Sequence, residues 1–478
     1  MFDILDRAVN LARELGASYA EARYHELVST QIMTRNGQLL GISGGVQRGV
    51  AIRVMYRGIL SFASTNSCER SSVEKAVEIA VSRAKALSSL AREPPVKELA
   101  PARVGRARYA VVPEKPLDSM PVDEKISMLK ELFRVASSSC RECKLATLSV
   151  VYSETIERKI VLNSDGGYIE SEVPRPTAML NIVLVHPQRG TLQRMIELGG
   201  SGGLEIVRGW ALESMIRNEV EALDRVLSKG IEPPKEPIPV VLGSEVVGLI
   251  VHESCGHPLE ADRIWGREAA QAGESFAKRH RIGDTIGNEH ATVIDDPTIP
   301  KSFGFYLYDD ECVAARPKYL YREGRINELI HNRWSAALYN VESNGSARAR
   351  DFRSEPIPRM SNTYLAPGDH RFEELIEDIK LGLYVKSYME WNIDDERWGQ
   401  RYVGLEAYVI RNGELAEPVL NPVLEFTTPS FYSSIEAKGR EVRFYAALCG
   451  KGEPPQGIPV WFGGPDVRLK KMVVGVAR

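Results

Sequence analysis

The order helix, β-rich run, helix occurs twice within residues 1–230, and this recurrence constrains the fold more than any other feature of the chain. Ile4, Leu5, Ala8, Val9, Leu11, Ala12 and Leu15 recur with a helical period. Alternating, β-rich segments follow near 18–28, 29–35, 38–43, 48–56 and 59–64, with Asn36-Gly37 as a hairpin signal. A second helix is predicted from about Ser71 to Leu90, then a proline-containing stretch to about Pro121. The order then returns: a helix over 122–137, strands near 146–155, 157–163, 167–172, 177–186 and 190–198, and a helix near 205–228. Asn163-Ser164-Asp165-Gly166-Gly167 stands where Arg35-Asn36-Gly37 stands in the first copy. Residue identity between the copies is low, so the repeat (1–92 and 122–230) is one of architecture.

Pro233, Pro234, Pro237 and Pro239 mark a boundary. The expected class is α+β: an N-terminal domain (1–232) of two helix–meander–helix units, and a β-rich C-terminal domain (237–478) carrying a metal-binding helix. Within the latter, a long polar segment (263–292) precedes β-rich sequence with turn signals at Gly324, Asn412-Gly413 and Gly463-Gly464.

A formal net charge of −3 and the lack of a long basic run leave nucleic acid an unexpected ligand. No stretch is apolar for long enough to span a bilayer, and Met1 to Arg7 shows no signal-peptide pattern. Six cysteines in 478 residues do not make a disulfide framework, so a reducing cytoplasm is the default location. Cys140 and Cys143 form an isolated CxxC, read as a surface helix end.

His252-Glu253-Ser254-Cys255-Gly256-His257 closes the apolar run Val246–Val251. Two imidazoles so placed can hold zinc, and a carboxylate beside the first can take a proton from a water the metal has activated. The spacing is i to i+5, not the i to i+4 of HExxH. On a straight α-helix it would separate the imidazoles by roughly 140° of azimuth. A π-bulge would bring them together, and so would a helix end. The helix end is favoured here: Gly256 takes the left-handed C′ position, Pro258 stops the helix, and His257 swings inward. Ser244 is the expected N-cap.

Two histidines do not complete a catalytic zinc site, which usually has three protein ligands. Nearby candidates are Cys255, Glu260, Asp262 and His280. Cys255 reads first as a core thiol, and Glu260 and Asp262 as ligands or as partners orienting an imidazole. Cys449, in Leu448-Cys449-Gly450-Lys451-Gly452, sits at a glycine turn and ranks level with Glu260 on pattern alone. His280 and His290 are held as oxyanion stabilisers only. His25, His186, His331 and His370 read as surface or hydrogen-bonded residues. Two GxSxG strings compete with the metal reading. Gly41–Gly45 lies between strands, where no nucleophile elbow forms. Gly199–Gly203 does lie between strand and helix, with Ser201 as its serine, but so many small residues suggest a floppy connection.

The chain resembles the TldD/PmbA family of metalloproteases, also called modulators of DNA gyrase. The resemblance is carried by His252–His257 with Leu259-Glu260-Ala261-Asp262, and by Ile294-Asp295-Asp296-Pro297-Thr298-Ile299-Pro300. Tyr308-Asp309-Asp310-Glu311, Pro358-Arg359-Met360-Ser361-Asn362-Thr363-Tyr364 and Cys449-Gly450-Lys451-Gly452 with Gly463-Gly464-Pro465 extend it. It implies a zinc peptidase with His252, His257 and Cys449 as ligands and Glu253 as catalytic acid/base. It also implies the active TldD-type subunit, dimeric with itself or with a TldE/PmbA-type subunit lacking these residues. The implied substrates are peptides and unfolded polypeptides reached inside a closed cavity. A thiolate ligand makes the metal a softer Lewis acid, so turnover is expected to be modest. An extended substrate is expected along an exposed strand edge of the C-terminal domain. The competing expectations are a scaffold subunit with a structural metal, which has no need of Glu253, and a serine hydrolase centred on Ser201.

Overall fold

The computed structural model describes residues 1–90, 93–268 and 273–477. The fold is α+β. In its N-terminal half, helix α1 (Phe2–Glu14) leads into three antiparallel strands, β1 (Tyr19–Arg35), β2 (Gln38–Tyr56) and β3 (Ile59–Thr65), and then helix α2 (Arg70–Leu90). Strand β4 (Arg106–Ala110) and helix α3 (Val122–Ser139) follow. The second meander is β5 (Lys144–Asn163), β6 (Tyr168–His186) and β7 (Gly190–Gly199), closed by helices α4 (Leu204–Gly209) and α5 (Leu212–Lys229). The segments near 18–28 and 29–35 form one strand, as do 38–43 and 48–56, because β-bridging continues through the polar residues between them. Asn36 and Gly37 both take positive φ (49° and 72°), the pair of left-handed residues a type I′ hairpin requires.

The two meanders join through an antiparallel β1–β5 pairing, with Val28 opposite Ile156, to give a seven-stranded sheet. Side chains alternate across a strand, and here the alternation sorts two kinds of interior. One face carries Ala20, Ala22 and Leu162 against α1 and α2, and Leu148, Val150, Tyr152, Leu180 and Ile182 against α3 and α5. The opposite face carries Glu21, Arg23, His25, Arg53, Glu157, Lys159 and Arg175. It is buried too, against the C-terminal half. Arg53 lies between Glu21 (2.7 Å) and Glu311, and Lys159 meets Asp310 at 2.9 Å. Arg175 donates to the Phe303 and Phe305 carbonyls, and His25 reaches Glu157 at 2.9 Å. Charges removed from water persist only when paired in this way.

Several local expectations need correction. Cys143 is buried rather than on a surface helix end: its amide, with those of Arg141 and Glu142, donates to the Asp224 carboxylate. Gly199–Gly203 is not floppy. A Cβ on Gly203 would lie 2.0 Å from the Lys115 carbonyl oxygen, so the glycines mark close packing. Gly463-Gly464 is not a turn but part of strand Gln456–Gly464.

That strand explains its own glycines. Strand β8 (Ile238–Leu242) leads into helix α6 (Ser244–Val251), which packs on the strand with Gly248 so close to Gly463 that a Cβ would sit 2.7 Å from its Cα. Ser244 is the first helical residue, not the N-cap. Asp466 caps the helix from outside by accepting from the Ser244 amide (2.9 Å). Replacing Gly248 by Val should force α6 off the sheet. We expect the unfolding free energy to fall by about 1–3 kcal/mol, read by urea denaturation.

Candidate metal centre

Helix α6 does not end at the histidine motif. Residues His252–Gly256 continue it as a π-turn, in which the His257 amide donates to the His252 carbonyl. Gly256 has φ −55° and ψ −65°, a right-handed conformation, so the expected left-handed cap is absent. The π-turn inserts the extra residue and returns both imidazoles to one face. Three contacts hold it. Ser254 Oγ donates to the Ile250 carbonyl (2.6 Å) and lies 2.8 Å from the Tyr432 hydroxyl. Tyr321 donates to the Ser254 carbonyl (3.0 Å), a group the widened ladder exposes. Gly256 lies against Met360, where a Cβ would be 2.5 Å from its sulfur. His257 then opens a short 3₁₀ turn over His257–Leu259 that ends the helical run.

Cys449 arrives from strand Arg443–Lys451, at the edge of a six-stranded sheet, rather than from a glycine turn. Its Sγ lies 3.2 Å from His257 Nε2, and the His252 and His257 rings stand 4.9 Å apart and nearly perpendicular. Ligand atoms of His252, His257 and Cys449 all lie within 4.8 Å of one another, and all three residues are buried. Ligands of a tetrahedral zinc stand about 3.4–3.6 Å apart given its usual bond lengths. The donors are therefore gathered at nearly that size. His252 Nδ1 is buried without a hydrogen-bond partner among the described residues. Two imidazoles and a thiol suit zinc better than a hard cation.

The electrostatics prepare the same set. Burial alone would raise the Cys449 thiol, but the His257 and His252 imidazoles and the Arg359 guanidinium outweigh it and hold it well below its ordinary value. Burial would likewise raise the Glu253 carboxyl, but Arg397 and the two histidines bring it down. Glu253 is ion-paired to Arg397, with both largely buried. Glu260, fully buried, is held well below the carboxylate range: burial opposes this, and Lys451, His257 and Arg263 overcome it.

Among the described residues, Glu260 and Asp262 fall outside the cluster of His252, His257 and Cys449. Glu260 Oε2 lies 3.2 Å from His257 Nδ1 and 3.3 Å from Lys451 Nζ. Lys451 also donates to Asp262 (2.7 Å) and to the Pro358 carbonyl (2.8 Å). Cys255 points away into the core, beside Tyr321 and Asp295. His280 stacks on Trp398 and meets Phe276 edge-on, with Nδ1 3.6 Å from Asp284. His290 is held in a turn by Asn288. Neither donates to the cluster. Gly41–Gly45 lies within β2, and the buried Ser201 Oγ has no hydrogen-bond partner, hence no base.

Sequence reasoning missed Arg397, Lys451 and Arg359 as contributors. Arg359 and Lys451 stand inside motifs already singled out. Arg397, in Asp394-Asp395-Glu396-Arg397, stands in no motif singled out from the sequence, and only the tertiary fold brings it to Glu253.

The chain matches the PmbA/TldA metallopeptidase C-terminal domain over residues 235–476, the central domain over 115–229 and domain 1 over 20–84. It is 30% identical to a metalloprotease of Methanocaldococcus jannaschii over 94% of this chain and 95% of that one. It is 26% identical to a zinc metalloprotease TldD homolog of Saccharolobus solfataricus, over 98% of both chains. The crystal structure of TldE from Thermococcus kodakarensis shares its fold, with a TM-score of 0.76 and 17% identity over 99% of this chain and 100% of that one.

Glu260 meets His257 Nδ1 at 3.2 Å and is placed to orient the ring. Substituting Glu260→Gln should weaken zinc binding about 10–100-fold, read by competition with a chromogenic chelator. The same change leaves Lys451 under-compensated, so the apo-protein should also lose stability.

Proposed function

Because the chain belongs to the PmbA/TldD metallopeptidase family, we propose that it is a zinc-dependent peptidase of the TldD type. In this reading His252, His257 and Cys449 hold the metal and Glu253 moves the proton. The observation that carries it is the joining of three donors from elements 192 residues apart in sequence, with a carboxylate next to the first.

Zinc, when bound, supplies Lewis acidity toward a carbonyl oxygen and acidifies water. The protein's own part is proton management and alignment. Glu253 takes a proton from the attacking water as the water oxygen bonds to the scissile carbonyl carbon. It returns that proton to the nitrogen as the C–N bond breaks, so peptide and water become an acid and an amine. Glu260 keeps the His257 ring fixed through Nδ1, which leaves Nε2 toward Cys449.

The substrate reading is an extended peptide or unfolded polypeptide. Strand Arg443–Lys451 is an edge strand, and its outer side meets the N-terminal sheet, where the Leu448 amide donates to Glu197 (3.2 Å). A groove of about 700 Å³ runs beside it. Leu448, Gly457 and Pro459 line it from the sheet face opposite Cys449, and Ser29, Gln31, Thr155, Glu157, Arg175 and Thr177 line it from the N-terminal sheet, so a peptide held there must pass the strand edge to reach the metal centre. Enclosure of this groove by a second, homologous subunit, or by a second copy of the chain, completes the proposal. So do a cytoplasmic location, argued from six free cysteines, and a division into domains near Pro233–Pro239. No helix among the described residues is long and apolar enough to cross a membrane.

Two rival readings meet specific obstacles. A scaffold with a structural metal has no use for a buried carboxylate beside the ligands. A serine hydrolase needs a base within reach of its nucleophile, and Ser201 Oγ has none. On an unstructured fluorogenic peptide, Glu253→Gln should retain zinc while the rate falls about 10²–10⁴-fold. Chelation should abolish hydrolysis and added zinc restore it, and Ser201→Ala should leave the rate unchanged. A chelator-insensitive rate that is lost in Ser201→Ala would reverse the assignment.

A further inference from the structure

Arg397 combines three features that each oppose stability. It is a charged residue only 8% exposed. Its backbone is left-handed, with φ 64°, where a residue with a Cβ is strained. Its Nε–H is buried without a hydrogen-bond partner among the described residues. Among the described residues its one carboxylate partner is Glu253. Such a residue persists only where the surroundings over-determine it, and here they do. Asp394 accepts from the amides of Trp398 (2.8 Å) and Gly399 (2.6 Å), which tightens the turn, and the Arg397 amide donates to the Asp394 carbonyl (3.0 Å). Thr428 Oγ1 holds the Arg397 carbonyl (2.9 Å) and is itself held by Gln400 (2.9 Å). Trp398 wedges the turn against Phe276, with ring centroids 5.5 Å apart. The turn thus aims one guanidinium at one carboxylate.

Resting on the peptidase reading above, we infer that Arg397 is a positioning residue of the reaction: it fixes the Glu253 carboxylate through Oε2 and leaves Oε1 for the attacking water. Among the described residues no hydrogen bond engages Oε1, so the pairing restricts the carboxylate without occupying both its oxygens. Among the described residues no other hydrogen bond or ion pair sets the rotation of this carboxylate. Arg397 holds neither ligand nor groove wall, so its effect should fall on the chemical step and not on metal or substrate binding.

The test is steady-state hydrolysis of an unstructured fluorogenic peptide by the zinc-loaded full-length protein, with zinc content measured on each variant. Arg397→Ala should lower kcat about 10²–10³-fold, with KM and zinc stoichiometry within about threefold of wild type. Arg397→Lys should recover part of the loss. Free guanidinium, but not methylammonium, should raise the Arg397→Ala rate by at least about tenfold; a purely structural role would not respond to it. A kcat near that of wild type, a loss carried by KM, or a loss of zinc with the side chain would each overturn the inference. If wild type shows no chelator-sensitive hydrolysis, the peptidase reading fails first. The pairing is then judged on apo-protein by urea unfolding of Arg397→Met, Glu253→Gln and the double variant. A double variant no less stable than the worse single supports the clamp, and additive losses overturn it.

Discussion

The candidate metal centre depends on one extra residue in one helical turn. An α-helix would point His252 and His257 roughly 140° apart, and no rearrangement of side chains alone would bring both to the Cys449 thiol. The π-turn over His252–Gly256 removes that separation at the expense of weaker backbone pairing, and the rest of the domain compensates. Tyr321 covers the Ser254 carbonyl, Ser254 and Tyr432 brace the turn, and Gly256 admits Met360. Gly248 and Gly463 bring the preceding helix against the sheet that carries Cys449. Candidate ligands from a helix and a distant strand then share one pocket because the helix is both close-packed and locally widened.

Around that turn lies a layered charge arrangement. The thiol is flanked by imidazoles, one imidazole is held by Glu260, and Glu260 is balanced by Lys451, Arg263 and Arg359. Each layer is buried, and each charge has a partner of opposite sign, which low-dielectric surroundings demand. The same logic governs the interface between the two halves of the chain. The second face of the N-terminal sheet meets residues 303–311 and 351–356 through Arg23, Arg53, Lys159 and Arg175. Those contacts set the N-terminal sheet over the groove beside the Cys449 strand.

Much of this was legible in the sequence. Helical periodicity located α1, α2 and α3 to within a few residues, and Asn36-Gly37 marked a turn whose two positive φ values the residue types permit. His252, Glu253 and His257 announced themselves by chemistry. What was not legible depends on contacts between distant segments. Whether the four residues between the histidines form a cap or a π-turn is decided by Tyr321, Tyr432 and Met360, which lie far along the chain. Glycines at 199–203 and 463–464 look like turns because glycine serves both flexibility and close approach, and only the neighbouring backbone distinguishes them. Glu21, Arg23 and His25 alternate with apolar residues as a solvated strand face would, yet that face is an interior. Arg397 carries no local signal, because its role lies in a carboxylate 144 residues earlier.

The central claim is that one metal is held jointly by the π-turn histidines and the strand cysteine. X-ray absorption at the zinc edge of the reconstituted protein tests it without reference to activity. The account predicts one sulfur scatterer at about 2.3 Å and two imidazole nitrogens at about 2.0–2.1 Å, with the sulfur shell lost in Cys449→Ser and kept in Cys255→Ser. A wild-type spectrum with no sulfur shell, or one whose sulfur disappears with Cys255 instead, would contradict it.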